Sequence, residues 1–284
     1  LLESRGLGDV YKRQILSYSV LAFTLAFLIN NLFTVWGGWP GIKKVFSHYD
    51  MFGYKQKSLE SSDLTYGYIQ ILIYVVCILS VIFYVFKTYT QTLVDDSEIL
   101  TKFSAYLIRG SFWAVFLVGI ADFIISFMVV ERLWEAIFSP EVKAFMVKAP
   151  ERITYIHFPI ILVSFIIGYF TKSVGFIWLA VLVVLSEFVI VLSRFVFSYE
   201  QAFQGDLVRF WYAALYLFAS AYALIHECHV RVDVLYSSFS EKKKAWTNVL
   251  GSSLLGVPLC LIVLFLGLNG KASIINGPVV AFEV

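Results

Sequence analysis

Charged residues are scarce in this chain. Only 15% of its 284 residues are Asp, Glu, Lys or Arg, whereas 60% are hydrophobic. One soluble domain could not bury so much apolar surface, so lipid must be the solvent for most of the chain. The formal net charge is only +2 and the basic residues are scattered, which argues against nucleic acid as a partner. The composition therefore predicts a membrane protein whose partners are lipid and other membrane proteins.

Cysteines, histidines and catalytic motifs are also few. Cys77, Cys228 and Cys260 lie inside or at the edge of apolar runs, so no disulfide framework is expected. The sequence has no glycine-rich phosphate loop, no Gly-x-Ser-x-Gly elbow and no paired-cysteine site. His157 is the only histidine well inside an apolar segment, whereas a membrane haem held by two histidines would need a second one. We therefore expect no enzyme activity and no cofactor.

Long apolar segments are what the sequence does have. A membrane-crossing helix needs about 20 residues, and seven segments are long enough. They are residues 15–36, 68–86, 103–130, 153–170, 176–197, 207–225 and 249–268. The segments lack the alternation of barrel strands, and backbone groups in lipid must pair within their own segment, so each is predicted to be a helix. The predicted fold class is all-α, a polytopic transmembrane helical bundle of seven helices.

Prolines and small residues refine this picture. Pro159 and Pro258 fall inside predicted spans and are expected to bend them. The alanines of 207–225, with Gly251 and Gly256 in the next span, are expected to let helices pack closely.

The stretch from Trp211 to Trp246 is the most informative part of the chain. It takes a membrane helix to its polar edge and through a charged turn, where His229, Arg231 and Asp233 alternate with valines. In an extended segment the three polar side chains would share one side, which suits a membrane–water boundary. Ser238 stands three residues before Glu241, a pattern that predicts a capping box at the start of the next helix.

The same turn contains His226, Glu227, Cys228 and His229, which superficially resemble a metal site. His226 and His229 could share a helical face, but Cys228 would then point elsewhere. No second cluster supplies further ligands, so we expect no metal.

Ionisable residues inside the spans are rare and need partners. Glu187 lies near the middle of 176–197, and Arg194 lies two turns further along the same face, too far for a direct pair. Arg109 and Asp122 share one span but are about 20 Å apart along a helix. We expect Glu187 to contact another helix or subunit, and expect Arg109 and Asp122 to face the bundle.

Three sequence runs carry a family resemblance. They are W-Y-A-A-L-Y-L-F-A-S-A-Y-A-L, then H-V-R-V-D-V-L-Y, then S-E-K-K-K-A-W. Together they resemble the small membrane (DctQ-like) subunit of tripartite ATP-independent periplasmic (TRAP) transporters. Upstream, Arg194-Phe195-Val196-Phe197 looks like the Arg-aromatic-x-Phe that closes the family's first helix. The resemblance covers roughly Trp178 to the C-terminus.

The resemblance implies a domain organisation. Residues 1–14 lack an initiator Met and look like a non-native leader. Residues 15–172 would form an N-terminal extension of four membrane helices. Residues 173–284 would form a TRAP small-subunit-like membrane domain, truncated because the family's final helix is missing. We expect the chain to be a fragment at both ends.

The resemblance also implies a role and partners. The chain would be a scaffold in the bacterial inner membrane, next to a large TRAP membrane subunit that carries the solute and sodium sites. A periplasmic solute-binding protein would deliver an organic acid or similar solute. Candidate contacts with the partner subunit or lipid are His229, Arg231, Asp233, Arg194, Arg209 and Glu187.

Two other functions stay open. The chain could be the membrane anchor of a quinone-linked redox complex, or a stand-alone carrier or channel that uses Glu187, Asp122 and Arg109.

The basic cluster Lys242–Lys244, directly before a span, favours a cytoplasmic position for the turn at His229.

Overall fold

A computed structural model describes residues 2–54, 58–172, 176–199, 202–225 and 234–277. Every regular element in these residues is helical. Seven helical spans are long and apolar enough to cross a membrane: Val10–Val35, Ser61–Lys87, Leu93–Val130, Ile153–Phe170, Ile177–Val196, Gln204–Leu224 and Glu241–Gly267. They coincide with the seven predicted segments, so the prediction of an all-α, multi-pass membrane protein is confirmed.

The helices are numbered in chain order. They are α1 (Leu2–Val35), α2 (Ile42–His48), α3 (Ser61–Lys87), α4 (Leu93–Val130), α5 (Trp134–Ile137), α6 (Pro140–Val147), α7 (Ala149–Arg152), α8 (Phe158–Phe170), α9 (Phe176–Val196), α10 (Ala202–Ile225), α11 (Val234–Ser237), α12 (Glu241–Gly251) and α13 (Val257–Gly267). The chain divides into two compact units. The first contains the described residues of Leu1–Glu98 and Phe239–Pro278, and the second those of Ile99–Ser238.

Aromatic contacts hold α1 against α3 and α13 in the first unit. The ring of Phe23 lies edge-on to Tyr74 of α3, and that of Phe27 lies edge-on to Phe265 of α13 at 4.4 Å. Asn31 adds a polar contact by donating a hydrogen bond of 2.7 Å to the Leu268 carbonyl. Such contacts matter in lipid, where packing rather than water exclusion drives helix association.

A buried carboxylate joins the first turns of α4 to α1. Gln14 donates a 2.7 Å hydrogen bond to Asp96, and Tyr18 donates one of 3.0 Å to the other oxygen of the same group. Tyr11 also donates to the Tyr89 carbonyl. Tyr11 and Gln14, which fall in the predicted leader, are therefore part of α1 and of its packing.

The loop between α1 and α3 folds back on both helices. The indole of Trp39 stacks on Phe33 at 4.4 Å and on Tyr66 at 4.8 Å. Beneath it, fully buried Gln70 accepts a hydrogen bond from the Gly41 N–H and donates one to Thr34, each of 2.9 Å. Because Gly41 has a φ of 79°, glycine is the residue that this turn favours.

In the second unit, α4 packs against α8, α9 and α10. Phe112 and Leu179 are buried with Trp211 and Ala214 in one apolar cluster. Glycines set the approach of α4 to α8: a Cβ on Gly168 would lie 2.7 Å from the backbone nitrogen of Gly110. This close approach is the small-residue packing typical of membrane helices.

Among the described residues, the glycines in close contact are not Gly251 and Gly256, for which packing was predicted. A Cβ on Gly251 or Gly256 would meet nothing within 4 Å in the part of the chain that is described. One on Gly119 would clash with the indole nitrogen of Trp211. Small size alone therefore did not identify the contact positions.

Pro159 and Pro258 each follow a π-helical turn. Ile153–His157 precedes Pro159, and Ser252–Gly256 precedes Pro258. A proline ring clashes with the carbonyl four residues back and offers no N–H to it. The wider π turn moves that carbonyl to a longer-range partner, so the helix continues through each proline.

The predicted capping box at Ser238 is wrong. α12 begins at Glu241 with Ser240 as its N-cap, and no side chain caps it. Ser238 instead donates a 2.7 Å hydrogen bond to the carbonyl of Leu235, at the end of the short helix α11. The serine hydroxyl bonds to the preceding turn instead of capping α12. Serine often makes such local hydrogen bonds to the backbone.

Candidate functional site

The predicted docking turn of His229, Arg231 and Asp233 lies outside the described residues, as does the metal-like group around Cys228. Its flanks are described: α10 ends at Ile225 and α11 begins at Val234. The turn therefore stays a prediction.

Two predicted contact residues lie on the outward face of α9. Glu187 is exposed near the middle of the span Ile177–Val196, and Arg194 is exposed near its end. They are seven residues apart, about two turns along one face. No hydrogen bond or ion pair joins Glu187 to the described residues. An ionisable side chain at this depth costs a few kcal/mol unless something else meets it.

Arg209 forms an ion pair within its own helix. Its guanidinium lies 3.0 Å from the carboxylate of Asp206, and the side chains are 83% and 78% exposed. An exposed pair of this kind contributes little stability in water. Arg209 lies in the early part of α10, so its charge remains accessible to lipid headgroups or to a partner.

A buried ionic cluster joins α4 to the start of the following span, and the sequence did not predict it. The imidazole Nε2 of His157 lies 2.8 Å from Oδ1 of Asp122, where an N–H can donate to the carboxylate. The guanidinium of Arg152 lies 3.5 Å from the same oxygen. Only 12% of the Asp122 side chain and 11% of that of His157 are exposed, and that of Arg152 is fully buried.

Further contacts fix Arg152 in this cluster. Its Nε donates a 2.8 Å hydrogen bond to the carbonyl of Met146. Burial lowers the pKa of the Arg152 guanidinium from its ordinary value, and the charge of Asp122 opposes that shift. Even so, arginine remains charged at any ordinary pH. The cluster is therefore a fixed charge held by a carboxylate, which suits a structural clamp.

Arg109 and Asp122 do have different partners, as their spacing implied. The Nε of Arg109 donates a 3.1 Å hydrogen bond to the carbonyl of Gly168, on α8. One turn along α4, the indole of Trp113 donates to the hydroxyl of Thr171 at 3.2 Å. The prediction that both residues face the bundle agrees with these contacts.

A sequence signal for the cluster did exist. Asp122 stands eight residues before the end of α4, and His157 stands in the first turns of the next span. Two consecutive helices that both cross the membrane run antiparallel, so residues near the segment that connects them lie at similar depths. Matching polar residues by depth across the connection would have paired them.

Metal chemistry has no basis in the described residues, where no group of three or more His, Cys, Asp and Glu side chains could hold an ion. What these residues offer is ion pairs and hydrogen bonds between helices, together with an outward carboxylate on α9. This arrangement supports helix packing and contact with another membrane component.

Comparison with known proteins identifies part of the chain. Residues 181–280 match the family described as tripartite ATP-independent periplasmic transporters, DctQ component. No curated protein and no solved structure matches the chain. The matched range includes most of α9, all of α10 to α13, and the predicted docking turn; α1 to α8 lie outside it. The resemblance drawn from the sequence is thus confirmed for residues 181–280, which are similar to the DctQ component of TRAP transporters.

Proposed function

We propose that the chain is a scaffold in a TRAP transporter and not the carrier. In this proposal a large membrane subunit binds and moves an organic acid or similar solute together with sodium. A periplasmic solute-binding protein delivers the solute, and the complex lies in the bacterial inner membrane. The match over residues 181–280 supports the assignment to this transporter type.

The observation that carries the scaffold role is the outward position of Glu187. Ionisable residues inside membrane spans usually face a bundle interior or a partner. Glu187 is exposed on α9, and the adjacent outward side chains Val184 and Phe188 are 66% and 57% exposed. An apolar surface with one carboxylate in it matches a partner helix that supplies a donor or a cation.

Reconstitution of defined components tests the role. The chain would be placed in liposomes alone, with a large TRAP membrane subunit, and with that subunit plus a solute-binding protein. Uptake of a panel of radiolabelled carboxylates would be measured with and without an inward sodium gradient. We expect sodium-dependent uptake only with all three proteins. Uptake by the chain alone would refute the scaffold role.

Substitution of Glu187 tests the contact itself. We expect Glu187→Leu to reduce the amount of large subunit that co-purifies with the tagged chain, and Glu187→Gln to reduce it less, because the amide keeps a hydrogen-bond acceptor. Glu241→Gln is the matched control, since Glu241 is exposed at the start of α12 and pairs with Lys244. Normal assembly of Glu187→Leu would show that this face is not the contact.

A further inference from the structure

A cavity of about 230 Å³ lies inside the second unit, between α4, α9 and α10. Phe123, Val189 and Leu207 are among the apolar side chains of its walls, and Ser186 and Gln204 are its polar ones apart from the indole of Trp211. The wall is therefore predominantly apolar. α4 lies outside the DctQ-like range, so the cavity is shared between that range and the N-terminal helices.

The size of the cavity limits its occupant. An apolar cavity of about 150 Å³ can stay dry and take up benzene, whereas pockets for drug-sized ligands begin at about 300 Å³. A section of one alkyl chain lies between these sizes. Water suits the site poorly, because a buried water needs about two to four polar partners and those of Gln204 and Trp211 are about two turns apart along α10, too far for one water to meet both. The surrounding membrane supplies alkyl chains directly.

One polar group makes the site selective. Gln204 is only 8% exposed, and its side-chain carbonyl oxygen is buried without a hydrogen-bond partner among the described residues. It begins the span Gln204–Leu224, and therefore lies at the membrane boundary. Trp211 lies about two turns, or roughly 10 Å, deeper along α10. The cavity thus has a hydrogen-bond acceptor at its boundary end and apolar walls beyond it.

We propose that this cavity binds one acyl chain of a phospholipid whose headgroup donates a hydrogen bond to Gln204. The acceptor requires an N–H or O–H donor from its ligand, because an amide carbonyl cannot donate. Phosphatidylethanolamine carries such a donor, and phosphatidylcholine carries none. The lipid would fill the space between α4 and the α9–α10 pair. This inference is independent of the transport role.

Photolabelling of the full chain tests the site. The purified chain would be incubated in detergent with phosphatidylethanolamine or phosphatidylcholine, each with a diazirine near the end of one acyl chain, then irradiated. Mass spectrometry would locate the labelled residues. We expect saturable labelling of α9 and α10 near Val189 and Leu207. The apparent affinity for phosphatidylethanolamine should be roughly tenfold higher, as one buried hydrogen bond implies.

Three variants separate the elements of the proposal. Gln204→Leu should remove the preference between the two lipids and leave phosphatidylcholine labelling unchanged. Val189→Phe should fill the cavity and abolish saturable labelling by both probes, and Ser186→Leu provides the same test if that variant does not fold. Leu217→Phe, an exposed position of α10 outside the cavity, should behave like the wild type.

Several outcomes would overturn the proposal. They are labelling that never saturates, labelling that survives a filled cavity, and a lipid preference that survives in Gln204→Leu. Equal affinity of the wild type for both probes would also overturn it. Loss of labelling when the large membrane subunit is bound would show that a protein segment fills the cavity instead.

Discussion

The Asp122 cluster gives a quantitative prediction about stability. Asp122→Asn keeps the size of the side chain and an oxygen that can accept from His157. What it removes is a negative charge 3.5 Å from the fully buried guanidinium of Arg152. The substitution therefore isolates the ionic part of the contact.

The expected loss follows from the burial of the group. Removal of one partner from a buried ion pair costs about 3–5 kcal/mol. Because 12% of the Asp122 side chain remains exposed, the lower end, about 3 kcal/mol, is expected. At roughly 2–4 °C per kcal/mol for a chain of this size, the midpoint of thermal unfolding should fall by roughly 6–12 °C.

The assay is thermal unfolding of the purified chain in detergent, followed by tryptophan fluorescence. A double-mutant cycle with Arg152→Met should reveal a coupling of about 1–3 kcal/mol. Asp122→Asn leaves the buried guanidinium of Arg152 without its carboxylate, and Arg152→Met then removes that guanidinium. Lys148→Gln is the control. The Lys148 side chain is 65% exposed and forms a surface ion pair with Glu151 at 3.5 Å, so its loss should change the stability by no more than about 0.5 kcal/mol. Strict additivity of the two substitutions would refute the reasoning.

Three further predictions concern packing and the backbone. Gly168→Leu should destabilise by more than the roughly 1–3 kcal/mol of ordinary overpacking, since its Cβ would meet the backbone of Gly110; thermal unfolding checks this. By the same measurement its control, Gly205→Ala, should be neutral or slightly stabilising, because a Cβ there would meet none of the described residues within 4 Å. Gln70→Leu should destabilise by about 1–3 kcal/mol and speed hydrogen exchange at the Gly41 amide, which would lose its acceptor; unchanged exchange would contradict this. Pro258→Ala should let a regular α-helix replace the π turn Ser252–Gly256. Solid-state NMR of the labelled carbonyls would check this, and persistence of the turn would show that proline does not cause it.

Sequence reasoning predicted the spans well because insertion depends on summed hydrophobicity. The span 153–170 was predicted with the same limits that the structure gives. The end of α4 was predicted correctly but its start was missed: it begins at Leu93, ten residues before the predicted segment, because its first turns are polar yet helical. Asp95 and Asp96 lie there, and Asp96 is held by α1, a tertiary contact that hydropathy does not register.

The packing contacts were harder to predict, because lipid and the interior of a helical bundle are equally apolar. In water an apolar stripe shows which face is buried, but in lipid that stripe carries no such information. Gly168 packs backbone to backbone, whereas a Cβ on Gly256 would meet none of the described residues within 4 Å, although both are glycines in apolar segments. Ser238 shows a related limit, since its hydroxyl can accept from a backbone N–H of the next helix or donate to a carbonyl of the preceding turn. In the structure it donates to the carbonyl of Leu235 in the short helix α11.

The two intramembrane acids show where structure adds what the sequence lacks. In the sequence, Asp122 and Glu187 are equivalent: each is an acid inside an apolar segment. In the structure, Asp122 is met by His157 and Arg152 from its own chain, whereas Glu187 is exposed on α9 and no ion pair with the described residues meets it. Since both carry the same desolvation cost in lipid, the first is explained by folding and the second calls for a partner outside the described chain. We therefore propose that Asp122 serves stability and Glu187 serves assembly. Substitution of Asp122 should change the unfolding midpoint, and substitution of Glu187 should change the recovery of the large subunit.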